Sequence, residues 1–585
     1  MTRILIFSPY ALWGFHSLYD ATIAKACRVR GASVEYVLCD GLLPECDQHW
    51  DSKANSPRPY DICQRCRAAA KQNLVQLEFP HRWLGEFISA QEKAAAFAWA
   101  QNVPAAGMRQ ACYQEMPLGE WVLSSMNTFF RQYPPDLTSW HVVSVYRGFL
   151  YSAALVAIGL GNYLRANTVD AALLFNGRQS ITRVALEIFQ RSGIRVLTHE
   201  RAEYQPGRVN VRANAHCMNP EPFRAFWKMW ADVPLERDSL NAVLRWLIQR
   251  RYGANLAWIA YNKPSAGTAA LRTRLKLTNG KRFWVLFTSS SDEVAGDPLM
   301  QGPYDSQADW VRDVVQWVAS RSDIELVIKV HPNLGGNSYI GKATEELKIY
   351  DELRSDNPAN VRFVFPEDSI SAYALAEEAD LGLTFGSTIG LEMAMLGKPI
   401  CLASRAIYEQ CSSLFVLKSR NMLSELLERC LHASPSREIQ RESFRLAYCY
   451  IFRFELPFPA IEVSGLYEGK LIYQYPADFA PGKDESLDHI CGFLVDGKPL
   501  FDAPAVEEMS RTTAEEARFF AALERAPDYL VDPRYERWLK LRSLGRSVKE
   551  TIQRMPLGNG LLKITGGKWQ AWLKHMETRE SERSR

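Results

Sequence analysis

The sequence predicts an α/β protein with two doubly wound parallel sheets and a helical C-terminal extension. Three observations predict it. Short apolar runs alternate with helical segments twice along the chain, over Ile4–Thr198 and again over Phe283–Leu402. Most of these runs end in a polar loop, the place where open α/β sheets hold their ligands. Between the two sets, near Lys263–Thr273, Pro, Ser, Gly and Thr interrupt the apolar pattern.

Ile4–Phe7 opens the chain as an apolar strand, and Ser8–Phe15 follows as a loop with Pro9 and Gly14. Ser17–Arg30 has helical periodicity, Gly31 ends it, and Ser33–Leu38 completes a β-α-β unit. From Gln72 to Asn167 the pattern is mostly helical and rich in aromatic and small residues. Strand, loop and helix return over Ala171–Gln190, with Asn176, Gly177 and Arg178 at the strand's C-terminal end. Arg195–Thr198 is the next strand and runs into His199 and Glu200. The second set comprises Phe283–Phe287, a helix over Asp305–Ser320, then Ile324–Val330, Val361–Phe365, Leu381–Phe385 and Ile400–Leu402. Its loops are Thr288–Asp292, His331–Asn337, Pro366–Ser369 and Gly386–Thr388. Beyond Ser434 the pattern weakens into mixed segments and then helices. The expected organisation is an N-terminal Rossmann-like acceptor domain with a helical insertion (1–265), a C-terminal Rossmann-like nucleotide-sugar domain (276–435), and an extension (436–585) that is helical and basic at its end.

With 585 residues, 47% hydrophobic and 23% charged, the composition is that of an ordinary globular protein large enough for two such domains. A net charge of +3 gives no global case for binding nucleic acid. No run approaches the roughly 18 consecutive apolar residues that span a bilayer. The start, MTRILIFSPY, is too short in its apolar part for a secretory signal and lacks a small-residue cleavage site. Twelve cysteines without an export signal point to reduced thiols, so a cytoplasmic location is expected.

Gly386-Ser387-Thr388 stands between the apolar run Leu381–Phe385 and the helix-like Ile389–Leu396. That order aims backbone N–H groups and two hydroxyls at one point, where a phosphate is stabilised. Ser and Thr are also good helix N-caps whatever the ligand. Glu392 lies one turn beyond Thr388, within reach of a sugar hydroxyl. The KVHP stretch, Lys329–Pro332, ends another strand on the same face, and Lys329 either caps that strand or offsets phosphate charge. Ser289–Ser291 follow the domain's first strand and offer hydroxyls to a leaving diphosphate.

KVHP at Lys329–Pro332, PEDSIS at Pro366–Ser371 and FGSTIGLEMAMLGKP at Phe385–Pro399 resemble bacterial capsule and surface polysaccharide biosynthesis glycosyltransferases of the GT-B fold. The likeness is close in the second domain and loose in the first. In the related bacterial sialyltransferases and Kdo transferases, a His-Pro motif and a later Ser/Thr pair hold the nucleotide of a CMP-linked sugar. The resemblance therefore implies that His331 and Pro332 contact the nucleotide while Ser387 and Thr388 bind its phosphate. Related glycerophosphotransferases of wall polymer synthesis share an HP and a serine pair before a similar helix. In GT-B enzymes that use UDP- or GDP-sugars, a glutamate in this helix often holds the donor ribose, here Glu392, so the base stays open. The implied activity is transfer from a nucleotide-linked sugar, CMP-linked favoured, to a growing capsule, O-antigen or other surface glycan. A UDP-sugar 2-epimerase-like isomerase and a non-catalytic polysaccharide assembly subunit are the alternatives. No DxD pair follows a strand in a fitting setting, and the fold usually does without a catalytic metal.

Inverting transfer to an alcohol needs a base opposite the donor. His16 follows the first strand by a short loop, and Asp20, four residues on, shares its helical face and would orient the imidazole. Packing near Trp13 and Phe15 is the plain alternative. Glu200 and Glu203, in THERAEYQPGR, are rival bases or acceptor contacts beside the acceptor loop Asn176–Arg178. Arg178 and Arg201 would neutralise a carboxylate or phosphate, with ordinary surface pairing as the alternative. Cys39, Cys46, Cys63 and Cys66 form C-x6-C-x16-C-x2-C, a spacing that fits a structural zinc site, two disulfides or four unrelated thiols. Finally, Pro533–Arg585 carries thirteen Lys or Arg against five Asp or Glu, interleaved with Trp538, Trp569 and Trp572. It reads either as a peripheral contact with an anionic inner-membrane surface, where lipid-linked acceptors lie, or as a helix packing back on the first domain.

Overall fold

The computed structural model describes residues 1–537 apart from 52–55, 59, 78, 255–270, 291–295, 338–339, 465–467, 512 and 527. Most of the Lys263–Thr273 break, Ser291 and nearly all of the basic tail with its three tryptophans lie outside the described residues. Met1–Ala521 forms one compact unit and Ala522–Arg585 another, the second described only as far as residue 537.

Two sheets, one wholly and one mostly parallel, dominate the first unit, and the fold is α/β as the sequence predicts. The N-terminal sheet has seven strands in the order Glu455–Pro457, Arg208–Ala213, Arg195–Arg201, Ala171–Phe175, Arg3–Ser8, Ser33–Leu38 and His81–Trp83. From Arg195–Arg201 to His81–Trp83 the strands are parallel, while Arg208–Ala213 and Glu455–Pro457 each run antiparallel to the neighbour before it in the chain of pairings. The second sheet has six strands, all parallel: Val361–Val364, Ile324–Lys329, Arg282–Phe287, Leu381–Thr384, Ile400–Leu402 and Phe415–Val416. Ala171–Phe175 and Ile324–Lys329 are buried along their whole length. Helices cover both faces of such interior strands, which is why they read as continuous apolar runs.

The helical insertion ends in Trp140–Ala166, and here one expectation is corrected. Among the described residues, this 27-residue helix is long and apolar enough to cross a membrane by length and composition. Within the fold, however, 72% of its most apolar window is buried. It packs on helices Ala90–Asn102 and Ser180–Arg191, so its all-round apolar surface is that of a core helix. At Gly159 a Cβ would stand 2.5 Å from Leu84 Cδ1, a measure of how closely the insertion packs there.

A second correction concerns 436–585, expected as a terminal extension. Glu455–Pro457 instead supplies the outermost strand of the N-terminal sheet, and helix Glu485–Asp496 packs on the first helix, Gly14–Val29. The physical reason is the exposed edge that Arg208–Ala213 would otherwise present. Arg208 reinforces the closure by donating to the carbonyls of Phe452 and Glu455.

Candidate active site

Loops at the C-terminal ends of parallel strands in both sheets line one cleft of about 1430 Å³. On the N-terminal side, helix Gly14–Val29 brings His16 to the wall, where its ring lies 4.0 Å from that of Phe175. Its Nε2 is 3.5 Å from Glu200 Oε1. Asp20, expected to orient His16, does not pair with it. It sits one turn deeper, buried, where Ser8 Oγ donates to it at 2.8 Å and His199 Nε2 stands 2.7 Å away. The last residues of strand Arg195–Arg201 run along that helix, so His199 meets Asp20 and Glu200 meets His16. Burial, with His199 and Arg201 nearby, holds the His16 imidazole well below the ordinary histidine range. Burial also raises the Glu200 carboxyl, although hydrogen bonds from Asn176 and the Arg201 backbone act against it.

The Asn176–Arg178 loop works mainly by holding its neighbours. Asn176 and Gly177 take φ of 59° and 70°, left-handed conformations that Asn tolerates and Gly adopts freely. Asn176 Nδ2 donates to Glu200 Oε2 at 2.8 Å, and its Oδ1 accepts from the Arg178 and Gln179 amides. A Cβ on Gly177 would meet Thr198 Cγ2 at 2.9 Å, so this glycine answers to packing rather than to a ligand. Arg178 lines the cleft and donates to Ser124 Oγ.

On the facing side, His331, Ser289, Ser290 and Gly386–Thr388 all line the same cleft. The His331 amide donates to Thr288 Oγ1 at 2.8 Å, and its Nδ1 accepts from the Asn333 amide at 3.3 Å. Burial, helped by the charges of Arg131 and Lys329, pushes His331 down to about 4, leaving a neutral ring. Pro332 opens the short turn Pro332–Gly335 and lies outside the cleft lining. Gly386 has φ of 124°, and a Cβ there would stand 3.0 Å from the Arg405 carbonyl oxygen. Tyr408 fixes the loop by donating to the Ser387 carbonyl at 2.6 Å, and the Thr388 side chain makes no capping bond to the helix behind it.

Two of the expected nucleotide contacts are directed elsewhere. Lys329 is buried in the sheet and donates to the Phe365 carbonyl at 3.3 Å, outside the cleft lining. Glu392 is 1% exposed and lies outside the cleft lining, behind Arg250, which is part of that lining. Arg250 holds its Oε1 through Nε and a terminal nitrogen at 2.9 and 2.8 Å, and the Tyr373 hydroxyl donates to its Oε2. One helical turn beyond Thr388 thus stands a carboxylate already engaged by two protein groups.

Cys39, Cys46, Cys63 and Cys66 converge with His49 on a small separate cavity, where His49 Nε2 is 3.0 Å from Cys63 Sγ. All four are free thiols. Among the described residues no three His, Cys, Asp or Glu side chains are arranged to hold a metal ion.

Sequence reasoning missed several residues of the cleft. Asp47 is buried against the wall, accepting from Tyr10 and Ser125 hydroxyls at 2.5 and 2.6 Å. Arg212 also lines it, beside Glu203, the rival base named from the sequence, whose amide donates to Glu455 Oε1 at 2.8 Å. Arg131 arrives from the helical insertion, and only the YPPD that follows it, a loop signal, could have drawn attention to that segment. Among the described residues, His16 Nδ1, Gln179 Oε1, Arg212 Nε and Ser289 Oγ in the cleft lining are buried with no hydrogen-bond partner.

No known family model matches the chain, and no curated protein matches it. Among solved structures it is similar to KpsC, a beta Kdo 2,4 transferase of Thermosulfurimonas dismutans, at 16% identity over 55% of this chain and 88% of that one, with a TM-score of 0.30. It is also similar to the UDP-GlcNAc 2-epimerase of Methanocaldococcus jannaschii in complex with UDP-GlcNAc and UDP (10% identity, 77% and 99% covered, TM-score 0.27). A third is HepE of Anabaena in complex with UDP-glucose (11% identity, 78% and 96% covered, TM-score 0.25). Those are likenesses of fold, at scores too low to bear on any residue.

Proposed function

We propose that the chain is a glycosyltransferase that moves a sugar from a nucleotide-linked donor, CMP-linked by preference, to a growing bacterial capsule, O-antigen or other surface glycan. The observation that carries this reading is the shared cleft. His331, Ser289, Ser290 and Gly386–Thr388 approach it from one sheet, and the His16–Glu200 pair approaches from the other. The donor nucleotide would lie on the first group, with its phosphate at Ser387 and Thr388. An acceptor hydroxyl would approach His16, which is neutral and therefore able to accept a proton. The hydroxyl oxygen bonds to the anomeric carbon, the bond from that carbon to the phosphate oxygen breaks, and the proton passes to the imidazole. Glu200 would hold the ring by one nitrogen and stabilise the imidazolium.

The preference for a CMP-linked donor is supported by the placement of Glu392. Held by Arg250 and Tyr373 and outside the cleft lining, it is not presented to a donor as the ribose ligand of a UDP- or GDP-sugar enzyme would be. Cytoplasmic action at the inner membrane, where lipid-linked acceptors lie, belongs to the same proposal.

The test is a thermal-shift panel of CMP, CDP, UDP, GDP and their sugar conjugates, repeated with His331→Ala. A ligand that binds only the folded state raises the melting temperature by mass action. Stabilisation by CMP or a CMP-sugar, lost in the variant, is the expected result. Stabilisation by UDP with interconversion of a UDP-sugar would replace the transferase by an epimerase. Silence across the panel would replace it by a non-catalytic subunit.

A further inference from the structure

We propose that Arg131, which lies far from every nucleotide motif in the sequence, is a phosphate-binding residue of the donor pocket, delivered to the second sheet by the helical insertion of the first. This rests on the nucleotide-donor reading above. Helix Leu123–Phe130 ends at Arg131, whose φ of 50° and ψ of 38° put it in the left-handed region usually filled by Gly or Asn at a helix end. A non-glycine residue in that region is strained, and such strain gathers at functional sites. The side chain is 5% exposed and lines the cleft. It crosses to the other sheet, where a terminal nitrogen donates to the Asn333 carbonyl at 3.3 Å.

Asn333 links Arg131 to the rest of the expected donor site. Its amide donates to His331 Nδ1, and its side-chain Nδ2 donates to Ser290 Oγ at 3.3 Å. The guanidinium is thus one residue away from both the imidazole and the serine loop, and its charge helps to keep His331 neutral. With Lys329 turned into the sheet, Arg131 brings a permanent positive charge to this end of the cleft. A guanidinium in a partly desiccated pocket binds phosphate oxygens through charge-assisted hydrogen bonds. During transfer the same charge would stabilise the phosphate as the sugar leaves it.

The experiment compares a nucleotide with its nucleoside, CMP against cytidine, or whichever pair the panel selects. Binding is measured by calorimetry on the full chain and on Arg131→Gln and Arg131→Lys. Gln keeps a donor for the Asn333 carbonyl but removes the charge, and Lys keeps the charge without the fork. The expected result is that Arg131→Gln weakens the nucleotide about tenfold or more, leaves the nucleoside unchanged, and is partly rescued by Lys. A Gln variant that retains the wild-type preference for nucleotide over nucleoside would overturn the assignment and leave the donor reading standing. A wild-type chain that binds no nucleotide would overturn both.

Discussion

A histidine that is to take a proton from an alcohol must be neutral beforehand and must have its ring held. His16 meets the first condition through burial and the second through Glu200, itself held by Asn176. His16→Ala is therefore expected to lower kcat by about 10²–10⁴-fold while leaving nucleotide affinity unchanged. Because the imidazole is depressed, the rate should rise with pH through an acidic limb lying below the ordinary histidine value of about 6.5, and His16→Ala should abolish that limb. An unchanged pH profile in the variant would remove His16 from the chemistry. The sequence made His16 and Glu200 legible singly, as a His after a first strand and a Glu at a strand end. It misassigned Asp20 because four-residue spacing reports a shared helical face and says nothing of a closer partner on a neighbouring strand. The partner of Glu392 was hidden for a similar reason: helical position fixes a direction only relative to the helix, and Arg250 comes from 142 residues away.

Among the elements, the return strand Glu455–Pro457 carries the least expected group. Glu455 is buried, its Oε2 has no partner, and burial followed by the nearby Glu203 pushes its pKa up to about 8. The folded chain thus keeps a proton that an unfolded glutamate, with an ordinary value near 4.5, releases. Between those two values the native state binds more protons than the unfolded state, so this group makes stability fall as pH rises toward 8. Glu455→Gln removes the titration while keeping the shape. The variant should melt close to wild type at pH 5 and roughly 2–5 °C higher at pH 8.5. Melting curves that stay parallel across that range would show that Glu455 is ionised in the fold. No periodicity could have announced this strand. It is three residues long, and its partner lies some 250 positions earlier, at Asn210. The interior strands were legible because burial on both faces leaves an apolar run. The edges Glu455–Pro457, His81–Trp83 and Phe415–Val416 were not, being two or three residues long, too short for a period to register.

Across the whole molecule, the chain builds most of one sheet, crosses to build the other, and comes back to finish the first. Local patterns reveal the two sheets and hide the return, since closure between distant segments leaves no mark on either one's periodicity. The return has a direct physical consequence. Helix Glu485–Asp496 buries Leu487, Ile490, Cys491 and Leu494, with Cys491 Sγ 3.6 Å from Cys27 Sγ on helix Gly14–Val29. Arg30 at the end of that first helix donates to the Phe479 carbonyl at 2.6 Å and pairs with Asp488. A fragment of residues 1–254 would therefore expose both an apolar helix face and the unpaired edge of Arg208–Ala213, two surfaces that drive association. Expressed alone, it should be insoluble or lack a cooperative melt. Co-expression with residues 436–521 should recover a soluble complex that melts in one transition. A fragment 1–254 that is soluble, monomeric and cooperative by itself would mean that the C-terminal segment is an appendage, as its sequence suggests, and that the N-terminal sheet is complete without it.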